Sequence, residues 1–443
     1  TGEGWQIPIN RTTAIINSPH ATITKIECFS GEFGLNNSLC QTKILSNHQA
    51  QVTYNKAINY GDNLTVAIAL DQTNSQIVFP SGFAKMIKLI TDNILVLVVL
   101  FPVTVMFFLW YRKGRDLTFI SQNIFDNNTQ KPTKLKPIFE HNRTPMVYQP
   151  LTHLTPGEAG TILDERVDNQ DVIAEIIDLA RKEYLKIEPA KKTGIIFKSE
   201  DFLFTKLRKS DDLLPKHQKY LLGKIFKSGD KVKLSALKGK FYTALNKTKQ
   251  LIYKSVTAKK LFTTNPNKVR GAYIGLGVLM LGFAFFLAIR ALEQGSFIPF
   301  VLTIIQTPFV FILAFLMVQK SAIGTNYHLQ AKGLKHTINV GAWRQKVHEK
   351  NLFIQDVLPF AISLGVINKL TRDMKDLDVS PPSYLAGSTA AAHGFNTGAF
   401  INNFATQAGN NLSYNPSSSS AGGSGFSGGF SGGGGGGGGG GSW

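Results

Sequence analysis

Apolar and polar positions change rhythm along this chain, and each rhythm predicts a different kind of element. In residues 1–80 the two alternate through "ATITKIECF", "QVTYNKAI", "NLTVAIAL" and "QIVF", with Gly, Asn and Asp between the runs. A period of two places neighbouring side chains on opposite faces of a strand, so the segment predicts a β-sandwich-like domain over 1–83. At that length it is expected to lack strands on its N-terminal side. The rhythm then disappears into charge-free apolar runs: Ile94–Trp110 (with Met86–Ile90 before it), Gly271–Ile289 and Phe297–Val318. A bilayer core of about 30 Å takes about 20 apolar residues. Buried core helices are the alternative, but three such runs are rare in a soluble protein. The pattern predicts transmembrane helices over 86–111, 271–290 and 297–318, which tolerate Pro102 and Pro308 as membrane helices do.

Between and after the spans the period becomes helical. "LTPGEAGTIL" predicts a helix with Thr155 as N-cap, Pro156 at its first position and Glu158 closing a capping box. A second helix is expected from Asn169 to Leu185, capped by Asp168, with Val172, Ile173, Ile176, Ile177, Ala180 and Tyr184 on its core face. The strands "YLKIE", "GIIF" and "DFLFTKL" follow, so that residues 151–268 predict a winged-helix-like module. Further on, a helix is expected to be capped near Ser235, with Phe241, Leu245, Ile252 and Val256 on one side. Residues 112–150 read as a linker. The segment 320–378 reads as helical, with one helix over 326–350 and an amphipathic one over 353–374 interrupted by Pro359. The Gly/Ser-rich tail 379–443, including ten consecutive glycines and the terminal Trp443, is expected to be disordered, because it cannot bury enough apolar surface to offset ordering.

Charge sharpens this division. The chain carries 48 Lys and Arg against 29 Asp and Glu, a formal net charge of +19. Residues 112–270 hold 32 basic and 17 acidic side chains, whereas 379–443 hold none of either sign. Arg112, Lys113, Arg115, Lys268, Arg270 and Lys320 flank the spans on one side, and Arg290 lies on the other. By the positive-inside rule the β domain is extracytoplasmic and both 112–270 and 320–443 are cytoplasmic. The expected location is a bacterial inner membrane, crossed several times. Both cysteines, Cys28 and Cys40, fall in the exported part and predict a disulfide, with two free thiols as the alternative. The chain starts at Thr1 without Met or a signal peptide, which predicts a processed or truncated form.

A winged helix in a basic chain raises the question of nucleic acid. Asp171, Glu175 and Asp178 are expected to share one exposed face of the second helix, following Asp164, Glu165 and Asp168, and such a face repels a polyanion. Lys191 and Lys192 at the wing tip do not outweigh it. No acidic side chain occurs from Lys231 to Leu292, and Lys238, Lys240, Lys247, Lys249, Lys254, Lys259 and Lys260 crowd the helix that leads into the second span. Anionic lipid attracts such a helix by about 1 kcal/mol per nearby cation. With little aromatic interleaving for stacked bases, lipid contact is the favoured reading.

Catalytic patterns are missing: there is no HExxH, CxxC or GxxxxGK[ST]. "GFSGG" lies in tail repeats with no strand before it, and His348-Glu349 has no second His at metal spacing. The apolar runs Ile94–Trp110, Gly271–Ile289 and Phe297–Val318 carry no internal charge for an ion path. Gly271 and Gly275 are spaced as a small-xxx-small helix-packing contact. No cofactor or metal is expected.

Several segments in this order carry a resemblance: "LTPGEAGTILDERVDNQDVIAEIIDLARKEYLKIE", "LLGKIFKSGDKVKLSALKGKFY", the span pair, "QAKGLKHTI", "DVLPFAISLGV" and a Gly-rich end closing in Ser-Trp. Together they resemble the YciQ-like bacterial predicted membrane proteins, the domain of unknown function 2207 family. The resemblance covers most of the chain and implies an outer β domain with cytoplasmic helical modules around the spans. It implies no activity and no catalytic residues. The chain departs from it in its short exported part and in "NKLTR" after Val366, where a Trp is expected. The expectation is therefore a noncatalytic envelope scaffold or interaction protein that bears on anionic lipid, with another envelope protein as a candidate partner. A membrane-tethered nucleic-acid-binding regulator is the alternative, and an envelope enzyme completed by a partner a third reading.

Overall fold

A computed structural model describes residues 8–32, 40–58, 62–71, 82–83, 94–120, 123–125, 130–138, 144–190, 201–293, 295–377, 382, 384–385 and 397–415. The chain divides into two compact units, 1–94 and 95–443.

The first unit is β-rich. Strands β1 (Thr12–Asn17), β4 (Gln49–Tyr54) and β3 (Gln41–Ser46) form one antiparallel sheet in the order β1-β4-β3, and β2 (Ile23–Glu32) pairs with β5 (Asp62–Leu70) in another. Alternation explains why the two sheets share a core: Val52 and Tyr54 of β4 meet Cys28 of β2 and Leu64 of β5. Cys28 is bonded to Cys40, with their Cα atoms 6.0 Å apart. Two of these strands, β1 and β3, are absent from the sequence expectation; all six residues of β3 (QTKILS) are exposed and its two apolar residues are adjacent, so it carries no alternation. The expected strand "QIVF" lies outside the described residues.

In the second unit, α1 (Ile94–Val99) and α2 (Phe101–Leu109) occupy the first apolar run, with Pro102 in the first turn of α2 and a π-helical turn over Trp110–Gly114. Met86–Ile90 lie outside the described residues. Residues 112–150, expected as an irregular linker, contain a short hairpin of β6 (Leu117–Phe119) and β7 (Thr133–Leu135). Its backbone is tied to the chain after the last apolar run, Leu117 N donating to Lys320 O.

The central body begins with α3 (Pro156–Asp164) and α4 (Asn169–Arg181); Thr155 and Glu158 form the expected capping box, and Asp168, expected as a cap, forms a second box with Asp171. Strands β8 (Leu185–Ala190), β9 (Asp201–Lys206) and β10 (Lys231–Lys233) form an antiparallel sheet in the order β10-β9-β8, with α5 (Lys216–Ile225) between β9 and β10 in the chain. Ile187, Phe204 and Val232 stand in register across it and are buried. The expected strand "GIIF" and the wing-tip Lys191 and Lys192 lie outside the described residues. Helix α6 (Tyr242–Ala258) buries Leu245, Ile252 and Val256 as expected, but starts after a 3-10 turn. Ser235 does not cap it; its hydroxyl donates to Asp201 at 2.6 Å.

Among the described residues two helices are long and apolar enough to cross a membrane, α7 (Pro266–Glu293) and α8 (Ile298–Phe315). They pack with α2 around Met106, Leu281, Val310, Ala314 and Met317 and leave Leu279, Phe283 and Phe309 exposed on the outside. Gly271 and Gly275 do not serve as the expected packing pair: both are exposed, and a Cβ on either meets nothing within 4 Å. The close approach falls instead at Gly277, where a Cβ would lie 3.0 Å from Val310 Cγ1.

Helices α9 (Ala322–Asn339), α10 (Trp343–Lys346), α11 (Lys350–Ser363) and α12 (Ile367–Asp376) follow. Two of the three breaks fall at left-handed glycines, Gly341 (φ 71°) and Gly365 (φ 73°), whereas α11 runs through Pro359. The tail also departs from expectation. Residues Thr397–Ser413 form helix α13, which buries Phe400, Ile401, Phe404, Ala405, Ala408 and Leu412. The glycine run and Trp443 lie outside the described residues.

Candidate functional site

The polar centre of the second unit grows from the first turns of α3 and from one face of α4. Thr155 N donates to Glu158 Oε2 at 2.9 Å, closing the capping box. Gly157 N, a free donor of the helix N-terminus, is capped from another helix by Glu175 Oε1 at 2.9 Å. Helix α4 lies this close because α3 carries glycine where α4 carries carboxylates. A Cβ on Gly157 would stand 2.7 Å from Glu175 Oε1, and one on Gly160 would collide with Asp171 Oδ1. The spacing of three residues in "PGEAG" thus matches the spacing of four between Asp171 and Glu175.

This overturns the expected exposed acidic face. Asp171, Glu175 and Asp178 are all buried, as is every residue from Asp171 to Ala180. Amphipathic spacing identified one buried side of α4; α11 and α13, from the C-terminal third of the chain, cover others. The carboxylates are stable there because each is supplied with donors. Glu175 accepts from the Thr155 hydroxyl, from Gly157 N and, at 2.6 Å, from Gln218 Nε2. Gln218 Nε2 is also 2.8 Å from Asp178 Oδ2. Asp178 pairs with Arg181 at 2.8 Å and Lys182 at 2.7 Å, and Arg181 continues to Asp356 of α11 at 2.9 Å. Glu158 pairs with Lys259 at 2.6 Å and accepts from the Ser255 hydroxyl at 2.6 Å.

Burial opposes ionisation of Glu158, but the charges of Lys259 and His217 and the hydrogen bonds from Lys259 and Ser255 outweigh it and hold the carboxyl below its ordinary value. At Asp171 the balance is reversed. Burial first, then the neighbouring Asp164, pushes its carboxyl well above the ordinary value, so the proton is retained more readily there. His328 of α9, against Ile162 O at 3.0 Å, is pushed down to about 4 by burial and by Lys320, and is neutral at physiological pH.

His217, fully buried, tests whether this is catalytic machinery. A nucleophile relay needs the hydroxyl on one ring nitrogen and the carboxylate on the other. Here Thr155 Oγ1 (3.2 Å) and Glu175 Oε1 (3.3 Å) both face Nε2, and Nδ1 has no partner. The Thr155 hydroxyl donates directly to Glu175, so the group is a hydrogen-bonded hub, not a relay. Among the described residues no group of three or more His, Cys, Asp or Glu is placed to hold a metal ion. A cleft of about 560 Å³ adjoins the hub, lined by Thr155, Asp178, Arg181, Lys182, Lys259 and Leu213 among others.

The lysines expected to face lipid separate into three groups. Lys238, Lys240, Lys247, Lys254 and Lys260 are exposed. Lys249 is half-buried, its ammonium lowered by burial against the favourable charges of Asp168 and Asp171. Lys259 is exposed too but tied down, its amine shared between Glu158 and His153 O at 2.9 Å. The sequence reading missed Glu175, Asp178, His217 and Gln218 as partners; the matched glycine and carboxylate spacings were the available signal.

A family model described as "Predicted membrane protein (DUF2207) C-terminal domain" matches residues 145–374, the stretch that contains the whole hub and both long apolar helices. No curated protein and no solved structure matches the chain.

Proposed function

The chain belongs to the DUF2207 family of predicted membrane proteins, and from that premise we propose that it is a noncatalytic envelope scaffold whose cytoplasmic module rests on anionic lipid. The arrangement we favour has three spans, formed by α7, α8 and the apolar run that ends in α1 and α2. The β-rich unit lies outside a bacterial inner membrane, and the rest of the chain beyond α2 lies inside apart from the short α7–α8 connection. The module formed by α3, α4 and the β8–β9 hairpin is then a winged-helix-like fold used for packing.

One observation carries this reading. Lys247 and Lys254, seven residues apart, project from the exposed side of α6 while Leu245, Ile252 and Val256 fill the core, and the chain enters α7 a few residues later. Exposed Lys238, Lys240 and Lys260 extend the same basic segment. Each such cation near an anionic surface is worth about 1 kcal/mol. A nucleic-acid-binding regulator is the second reading. Against it stands the burial of α4, which leaves that helix no free face for a major groove.

The test uses the full chain in lipid nanodiscs and an amine-reactive label. Lys240, Lys247 and Lys254 should be protected in phosphatidylglycerol discs and reactive in phosphatidylcholine discs. Equal reactivity in both removes the lipid reading. Duplex DNA binding at physiological salt, weakening steeply as salt rises, would install the regulator in its place.

A further inference from the structure

We infer that α13 is a separable helical ligand of its own chain, folding as it docks into an aromatic groove between the β8–β9–β10 sheet and α4. This inference does not depend on the lipid reading. The groove is specific in shape. Phe400 and Phe404, one helical turn apart, meet Phe202 edge-on at 5.4 and 5.1 Å, and Phe404 also meets Phe204 at 6.0 Å. Ile401, Ala405, Ala408 and Leu412 complete the buried stripe, and Lys238 Nζ lies 4.9 Å over the Tyr414 ring at the far end. Anchors at this spacing are the signature of a helix received in a groove.

The helix has little tendency to form by itself. Its 17 residues include Gly398, Gly409, Asn402, Asn403, Asn410 and Asn411, and no Lys, Arg, Asp or Glu that could form a stabilising pair along its surface. Such a sequence is marginal as an isolated helix in water, so its helicity comes from the groove. The family match ends at residue 374, before α13 begins. Connection through residues 386–396 supplies the helix to its groove at an effective concentration on the order of millimolar. The occupant is therefore an uncharged amphipathic helix with aromatic residues at i and i+4, held in place by tethering as well as by contact.

Hydrogen exchange on the full-length protein in detergent tests this first. The α13 amides should exchange at least about 100-fold faster than those of α4, which reports local release ahead of global opening. Equal protection of the two helices would make α13 an integral part of the core and overturn the proposal. The second arm uses the full chain carrying Phe400→Ala and Phe404→Ala. A labelled peptide of residues 397–415 should bind this chain, and bind the wild-type chain at least about tenfold more weakly because the native helix competes. Loss of folding in the double variant, or a folded variant that does not take up the peptide, would each overturn it.

Discussion

At the residue scale the second unit is organised by where glycine permits a carboxylate. Gly160→Ala places a methyl group against Asp171 Oδ1, which should destabilise the protein by about 1–3 kcal/mol as overpacking does. Adding Asp171→Ala should recover part of that loss, and a double-mutant cycle on thermal unfolding would measure the coupling. Additive effects would mean that the contact has no energetic weight. Glu175→Ala leaves Gly157 N and Gln218 without a common acceptor, and should cost about 3–5 kcal/mol, as removing one member of a buried charged network does. Asp171 also sets a pH dependence. Because its folded carboxyl is raised, the folded state binds the proton more tightly than the unfolded one, so this group's contribution is present below the ordinary carboxylate range and is lost as pH rises above it. Asp171→Asn should flatten that decline in a series of unfolding curves from pH 4 upward; an unchanged slope would assign it elsewhere.

At the element scale, what was legible in the sequence follows from how local each signal is. The Thr155–Glu158 capping box and the Asp168 cap that starts α4 were readable, because a cap needs only residues within one turn. The full burial of α4 was not, because its remaining faces are covered by α11 and α13, more than 150 residues further along. Polar residues on a helix signal exposure only if no distant segment brings donors to them, and Gln218, Lys182 and Gly157 do so here. Pro359 and Gly365 show the same limit from the other side: a proline was expected to interrupt a helix that breaks instead where Gly365 turns left-handed. Composition concealed α13, since glycine and asparagine dilute a buried stripe whose spacing is still helical. In the β-rich unit the cysteine pairing was legible from its confinement to one segment. Replacing Cys28 and Cys40 with Ser should lower the stability of that unit by about 2–4 kcal/mol, measured by chemical unfolding with and without reductant.

At the scale of the whole molecule, the second unit has no loose joint between its apolar helices and its polar body. Lys320, buried just beyond α8, pairs with Glu165 at the end of α3 and lies 3.6 Å from Asp116, ahead of the β6–β7 hairpin. Arg270, in the first turns of α7, donates to Glu165 O at 3.3 Å, and both Arg166 and Arg270 lie over the Phe315 ring at the end of α8. Lys320→Met should therefore loosen a junction as well as remove a charge, seen as faster hydrogen exchange in α3 and β6 together; a change confined to one of them would mean that Lys320 does not join the two. A membrane helix whose apolar length differs from the local bilayer thickness adjusts by tilting. With the start of α7 and the end of α8 tied to the body in this way, such a tilt would be transmitted as torque, turning the cleft and the lysine-bearing side of α6 relative to the membrane plane, so that bilayer thickness itself would set how the module is presented.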